Sequence, residues 1–310
     1  VNIITVDAGK YQTKGLLGDR GIKFRTKLEK IDNSISINNS TKNFHITWEG
    51  ERYLIGDGAK YVDYDVSKHK LQHKLAVYTS CATLLKDKSD KKVKLVVLAP
   101  LQTYTNTQAR EEYRQFILNN YKAEFEIDGR EVYLNIEDAT VFAEAIGVSV
   151  SNIDKFKNKT VGILDIGGLN VNGIIVKNMK PIRDTEFTIN AGSLIIMEKI
   201  RKELNKEIKN ANIQEYQMDN IMQQGFYNGD IDISKEIIQL ILSNHFKDII
   251  QTTKASNWDL KGLDIVVTGG GSLDLGLSNI QSLIPQAVMS NNPVWDSCIG
   301  GNKVGAISKN

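Results

Sequence analysis

Ile4-Thr5-Val6-Asp7-Ala8-Gly9-Lys10-Tyr11-Gln12-Thr13-Lys14-Gly15-Leu16-Leu17 reads as an apolar strand ending in Asp, a turn of small and polar residues, and a second apolar strand. After the middle of the chain the same device returns as Gly162-Ile163-Leu164-Asp165-Ile166-Gly167-Gly168-Leu169-Asn170-Val171-Asn172-Gly173-Ile174-Ile175. Glycine in a tight turn admits positive φ and lets the backbone come close to a ligand. Successive N–H groups around such a turn form a nest for phosphate oxygens. Asp is a poor strand residue, so its place at the end of each leading strand asks for a chemical reason. Beside a phosphate it orients water around Mg²⁺, which keeps several waters and takes few protein carboxylates. Lys14 adds a charge suited to a phosphate chain. One Asp-x-Gly alone merely closes a hairpin; two copies about a domain length apart argue for one device used in each half.

The surrounding pattern is α/β. Buried-strand runs recur at Ile3–Val6, Leu95–Ala99, Val161–Ile166, Ile174–Val176 and Ile265–Thr268. Between them, Leu71, Leu75, Tyr78, Ala82 and Leu85 make one helical stripe, with Ser67 as its expected N-cap. Further helical stripes run through Ala109, Tyr113, Phe116 and Ile117, through Met197, Ile200, Leu204 and Ile208, and from Ser234 as an expected cap to Ile250. Strands alternating with helices of this length indicate an α/β protein, and 310 residues at roughly 150 per domain suggest two domains, 1–150 and 151–310. Lys and Arg total 39 against 37 Asp and Glu, a balance that gives no reason for broad adhesion to DNA or anionic membrane. Two cysteines, Cys81 and Cys298, build no disulfide framework and fit a reducing cytoplasm. No apolar run approaches the roughly 18–20 residues of a membrane helix, the first residues open directly into a strand pattern, and no amphipathic membrane helix is expected at either end.

A third glycine cluster, Gly269-Gly270-Gly271-Ser272, follows the last buried strand, Val266-Val267-Thr268. Glycines there let a nucleoside lie against bare backbone at the carboxyl end of a strand. The chain has no G-x-G-x-x-G order at this turn and no G-K-[ST], so neither a dinucleotide fingerprint nor a Walker loop is supported.

With these three clusters in order, the sequence resembles the actin/Hsp70/sugar-kinase ATPase superfamily, and within it the ParM-type bacterial actins that segregate plasmids. Tyr53-Leu54-Ile55-Gly56-Asp57-Gly58-Ala59 and Leu98-Ala99-Pro100-Leu101-Gln102-Thr103-Tyr104 are similar to segments of that group. So are Asn190-Ala191-Gly192-Ser193, opening a helix, and Asn292-Pro293-Val294-Trp295 before Gly300-Gly301. The resemblance implies an actin-like ATPase fold of two related ribonuclease-H-like domains around a nucleotide cleft. It also implies a smaller subdomain at about 20–90 and a helical one at about 193–260.

The resemblance further implies a cytoplasmic ATPase or GTPase whose cofactors are ATP or GTP with Mg²⁺. Asp7, Gly9, Lys10, Thr13 and Lys14 would form one phosphate clamp, and Asp165, Gly167, Gly168, Leu169 and Asn170 the other. Asp7 and Asp165 would stand near the metal. Gly269, Gly270, Gly271 and Ser272 would hold the nucleoside, with Gly192, Met222 and Gln223. Glu137, with Asp138 as the competitor beside it, would align the attacking water near the start of the linking helix. The expected partners are further copies of the chain in a helical filament and a DNA-binding adaptor on a plasmid site, with no direct DNA reading and no membrane. Departures stand at Asn170 and Asn172, where many relatives carry Thr and Asp, and at Lys10 and Tyr11, where small hydroxyl residues are usual.

The rival reading on the same fold is a small-molecule kinase for a sugar or acid, which needs a separate acceptor pocket with its own base. A peptide-binding chaperone would carry a further substrate domain. His69 and His73 have the i, i+4 spacing of a metal pair but fall on the face away from the Leu71 stripe, where solvated helix residues are expected. His45 and His245 stand singly, and both cysteines read as packed residues. Lys86–Lys92 reads as a mixed-charge loop, and Lys199–Lys209, interleaved with Glu203 and Glu207, as a solvated face or a filament contact.

Overall fold

The computed structural model describes residues 1–32, 42–60, 68–88 and 91–307. Ser67, the expected helix cap, and Ser89 and Asp90 of the mixed-charge loop lie outside them. The chain forms two compact units, residues 1–151 with 297–310, and residues 152–296.

In the first unit the described elements are β1 (Asn2–Ala8), β2 (Gln12–Leu17), β3 (Arg20–Arg25), β4 (Leu28–Lys30), β5 (Asn43–Trp48), β6 (Glu51–Gly56), α1 (Leu71–Leu84), β7 (Lys92–Ala99), α2 (Leu101–Thr105), α3 (Thr107–Leu118), β8 (Lys122–Ile127), β9 (Arg130–Ala143) and α4 (Glu144–Ser151). The sheet order is β3-β2-β1-β7-β9-β8-β5-β6-β4, with β1, β7 and β9 mutually parallel. Strand β1 is buried from Ile3 to Ala8 because it is covered on both faces. Ile4, Val6, Leu95 and Val97 meet Leu75, Tyr78 and Ala82 of α1 on one side. On the other, the C-terminal helix (Asp296–Ile307) sets Gly301 and Gly305 against Thr5, Val96 and Ile3. Residues 297–307 therefore belong with the first unit and not with the second, where the sequence division at 151–310 had put them. Each fully buried aliphatic or aromatic side chain here contributes about 2 kcal/mol relative to exposure.

Two local expectations change. Lys70 occupies the N-cap of α1. His73, expected to face water, is buried, because α1 is covered on more than its apolar stripe, while His69 precedes the helix and is exposed beside Tyr113 and Phe116. The two imidazoles are not a pair on one helix.

The second unit contains α5 (Ile153–Phe156), β10 (Thr160–Ile166), β11 (Val171–Lys177), β12 (Lys180–Pro181), β13 (Phe187–Ile189), α6 (Ser193–Glu207), α7 (Met218–Gln224), α8 (Ile231–Ala255), β14 (Asp264–Thr268), α9 (Gly270–Leu275), α10 (Leu277–Gln281) and β15 (Ala287–Met289). Its sheet runs β12-β11-β10-β14-β15, with β13 added to β11. Strands β10, β14 and β15 are parallel, and β11 and β12 return antiparallel. This is the plan of β3-β2-β1-β7-β9 repeated: an antiparallel hairpin pair, a central strand, then two parallel strands. Helices α6 and α8 pack through Ile196, Ile200 and Leu204 against Ile238, Leu242 and Phe246. Asp230, not Ser234, caps α8, accepting a bond from the Ile233 amide at 3.1 Å; Ser234 lies inside the first turn and accepts from the Tyr227 amide.

Candidate phosphate-binding hairpins

The first hairpin pairs Asp7 with Lys14 and Ala8 with Thr13 across the turn Gly9–Tyr11. Asp7 is the penultimate residue of a parallel strand, so its carboxylate stands at the carboxyl edge of the sheet, where α/β proteins bind ligands. Lys14 Nζ lies 3.4 Å from Asp7 Oδ2, and Lys68 Nζ lies 3.7 Å from Asp7 Oδ1. Lys68 also donates to Glu144 Oε1 and, at 3.1 Å, to the Leu98 carbonyl. Its side chain is only 4% exposed. Burial by itself would lower the Lys68 pKa, but the carboxylates of Glu144 and Asp7 outweigh it and hold the ammonium above its usual range. Two anions and two cations thus neutralise one another at this edge. Burial pushes the nearby Tyr113 phenol and the Cys298 thiol each up to about 12, so both stay protonated near neutrality and Cys298 is no nucleophile. The Thr13 hydroxyl is engaged with Thr26 Oγ1 at 2.7 Å, and Lys10 is half-buried, with its ammonium shielded from solvent.

Glu137 does not join this cluster. It lies within β9, a strand and not a helix start, and is skipped by a bulge where Val93 pairs with Ile136 and Lys94 with Asp138. Lys94 in turn pairs with Ile3, four residues before Asp7, which places Glu137 about 13 Å down the sheet from the Asp7 edge. Asp138 is bound to Arg114 Nη2 at 2.7 Å. The carboxylate at the Asp7 edge is Glu144, the residue immediately after β9. Its signal in the sequence was the one already used for Asp7: an acidic residue closing an apolar run, here Val141-Phe142-Ala143.

The second hairpin pairs Asp165 with Asn172 and Ile166 with Val171, and the Gly167 amide closes the turn on the Asn170 carbonyl at 2.8 Å. Three segments converge here. The amides of Gly192, Ser193 and Leu194 donate to the carbonyls of Leu169, Gly167 and Gly168 at 2.7, 3.0 and 2.8 Å, seating the start of α6 on the turn. A Cβ on Gly192 would fall 2.4 Å from the Gly168 carbonyl. Gly269 follows Thr268, the parallel partner of Asp165, at φ +86°, and a Cβ there would lie 2.4 Å from Asp165 Oδ1. Ser272 turns its hydroxyl back to the Gly269 carbonyl at 2.6 Å. Asn172 accepts from Thr188 Oγ1 at 2.8 Å and Leu169 is buried, so neither is directed at a ligand, whereas Asn170 remains half-buried on the turn. Met222 and Gln223 lie on α7, which packs against α9 behind Gly270. His245 of α8, unassigned by sequence, bonds the Ala191 carbonyl through Nε2 at 2.7 Å and so braces the segment that carries Gly192.

Among the described residues no three His, Cys, Asp or Glu side chains group to hold a metal. No helix among them is long and apolar enough to cross a membrane.

Residues 5–147 match the family model of the N-terminal domain of actin like proteins, and residues 163–279 match that of the C-terminal domain of archaeal MreB-like actin homologues. The Alp12 filament structure superposes with a TM-score of 0.74 and 29% identity, covering 99% of this chain and 98% of that one. A 15-stranded ParM filament from Clostridium botulinum gives 0.78 and 19%, covering 99% of each chain. Ta0583, an archaeal actin homologue in complex with ADP, gives 0.78 and 14%, covering 99% and 100%. No curated protein matches.

Proposed function

Starting from a chain that belongs to the actin-like proteins, we propose a nucleotide-dependent filament-forming NTPase that polymerises with Mg-ATP or Mg-GTP, hydrolyses the nucleotide within the filament and drives plasmid DNA segregation. The observation that carries this reading is the convergence of the Gly167–Gly168 turn, Gly192 and Gly269 on Asp165, together with a second Asp-ended hairpin of the same plan in the other unit. The 29% identity to Alp12 along the whole chain, in a protein solved as a filament, supports the polymerising part.

In this reading Gly9, Lys10 and Lys14 serve phosphate oxygens in the first unit, and Gly167, Gly168 and Asn170 in the second. Gly269, Gly270, Gly271 and Ser272 take the nucleoside, with Gly192, Met222 and Gln223 adjoining. Glu144, at the Asp7 edge, and not Glu137 is the carboxylate we assign to the attacking water: it orients the water and receives its proton, while Lys68 holds the carboxylate in position and balances its charge. Asp7 and Asp165 would be the carboxylates offered to Mg²⁺, which would neutralise the charge that develops on the phosphoryl oxygens. Head-to-tail contacts that do not close give a helical filament, and a separate adaptor protein connects it to plasmid DNA.

Right-angle light scattering with simultaneous phosphate release, under Mg-ATP and Mg-GTP across protein concentrations, tests the reading. Scattering that rises above a critical concentration and precedes phosphate supports it and names the nucleotide. Flat scattering with turnover that rises on addition of a small hydroxyl or acid acceptor overturns it in favour of a kinase.

A further inference from the structure

The β8–β9 ribbon of the first unit alternates cleanly. Val132, Leu134, Ile136, Ala123, Phe125 and Ile127 face the core, while Glu124, Glu126, Glu131, Tyr133 and Glu137 are exposed. Glu126 and Glu131 stand directly opposite each other across the two strands. Tyr133, 58% exposed, faces Glu124 in the register and donates its hydroxyl to Glu131 Oε2 at 3.1 Å. Lys122 reaches Glu124 at 3.7 Å, and Lys92 and Lys94 stand on the adjoining strand. Four carboxylates around an exposed aromatic ring therefore share one sheet face.

The second unit carries the opposite arrangement. Its β11–β12 turn sets Lys177 directly across from Lys180, through Asn178 and Met179, both at positive φ. The Asn178 amide bonds the Lys159 carbonyl at 2.9 Å, which joins this turn to the one carrying Lys157 and Lys159. All four lysines are exposed, and Asp264 approaches Lys159 only at 3.9 Å.

Like charges directly opposed across antiparallel strands cost stability. Apart from Lys14 and Lys23, where Asp7 lies beside Lys14, the described strands carry one such pair of each sign, on surfaces of four carboxylates and four lysines, while the total charge is only +2. A second copy of the chain resolves both at once. We propose that the exposed face of the β8–β9 ribbon of one copy docks on the lysine-bearing turns of the next. The contact is heterologous, one patch against a different patch, so it repeats head to tail and extends a filament instead of closing a dimer. This inference rests on the filament reading and gives it a surface.

The test uses the full chain with the nucleotide that drives scattering. Lys180→Glu and Glu131→Lys should each raise the critical concentration about tenfold or more, since each sets like charges against one another at the contact. Each should also raise the melting temperature of the unassembled protein, because each converts an opposed like-charge pair into an attractive one. Weaker assembly with a more stable monomer excludes misfolding as the cause. A one-to-one mixture of the two variants should assemble again, since each supplies the surface the other has lost. Reversals that assemble like the unsubstituted chain, or a mixture that fails to recover, overturn the contact and leave the filament reading standing. Absence of assembly by the unsubstituted chain removes both. Unchanged assembly with lost retention on double-stranded DNA for Lys180→Glu would assign the lysines to nucleic acid and overturn the proposal.

Discussion

The two hairpins share a plan and differ in what holds them. In the first unit Asp7 is fixed by side-chain charge: two lysines and a second carboxylate lie within one buried cluster, contributed by β2, by the residues before α1 and by α4. In the second unit the turn after Asp165 is hemmed in by backbone, with Gly192, Gly269 and Gly271 brought so close to it that a methyl group has no room. Both halves have the same strand order and an Asp near the strand end. What surrounds that end differs, ion pairs in one half and close peptide groups in the other. One half should then be sensitive to charge and the other to volume.

The largest effect expected from this difference is at Gly269. An alanine there combines positive φ with a contact of 2.3 Å to the Ile166 carbonyl, and should cost about 3 kcal/mol or more. Gly9→Ala in the first hairpin meets only the Gln12 carbonyl, at 2.7 Å, and should cost less. Urea unfolding of both variants, with fluorescent-nucleotide binding, would check this; equal losses would show that the two turns are not built differently.

Lys68→Met probes the charged half. Removing the buried ammonium leaves Glu144 and Asp7 without their shared cation, and loss of one member of a buried ion pair costs about 3 kcal/mol. The expected outcome is a lowered urea midpoint at neutral pH. A midpoint unchanged at neutral pH would mean that solvent already screens the cluster.

The parts of this arrangement that were legible in the sequence are those carried by short segments. Asp7 with Gly9, Asp165 with Gly167, and the glycine run after Thr268 each announce themselves within a few residues. What was not legible depends on separation or on a period misread. Lys68 and Glu144 are 76 positions apart, and nothing local to either names the other. Glu137 reads as standing near a helix start only if the period-two alternation of Glu131–Glu137, the pattern of a half-exposed strand, is passed over. The burial of His73 follows from how α1 packs, which its own hydrophobic spacing does not encode.

Glu144→Gln separates chemistry from architecture. It keeps the size of the side chain and removes the base, so phosphate release should fall about 100-fold while nucleotide still binds and assembly persists. Glu137→Ala, in the strand bulge, should leave single-site turnover unchanged. If the two variants exchange these outcomes, measured as single-turnover phosphate release, the assignment of the water-positioning carboxylate to the Asp7 edge fails.

The smallest effect belongs to His245, and it asks whether the backbone-built half has any charge dependence at all. Burial lowers the pKa of this imidazole, Lys199 acts in the same direction, and the Ala191 carbonyl and Asp248 act against them. The folded pKa therefore lies below the ordinary value of about 6.5. The unfolded chain then binds the proton first as pH falls, so stability is present above about pH 6.5 and is lost on acidification through that value. His245→Gln keeps a donor for the Ala191 carbonyl and removes the titration. Thermal melts between about pH 7.5 and 5.5 should show a decline of a few degrees in the parent that is smaller in the variant. If the two decline in parallel, the acid sensitivity lies outside His245 and this imidazole does not couple folding to pH.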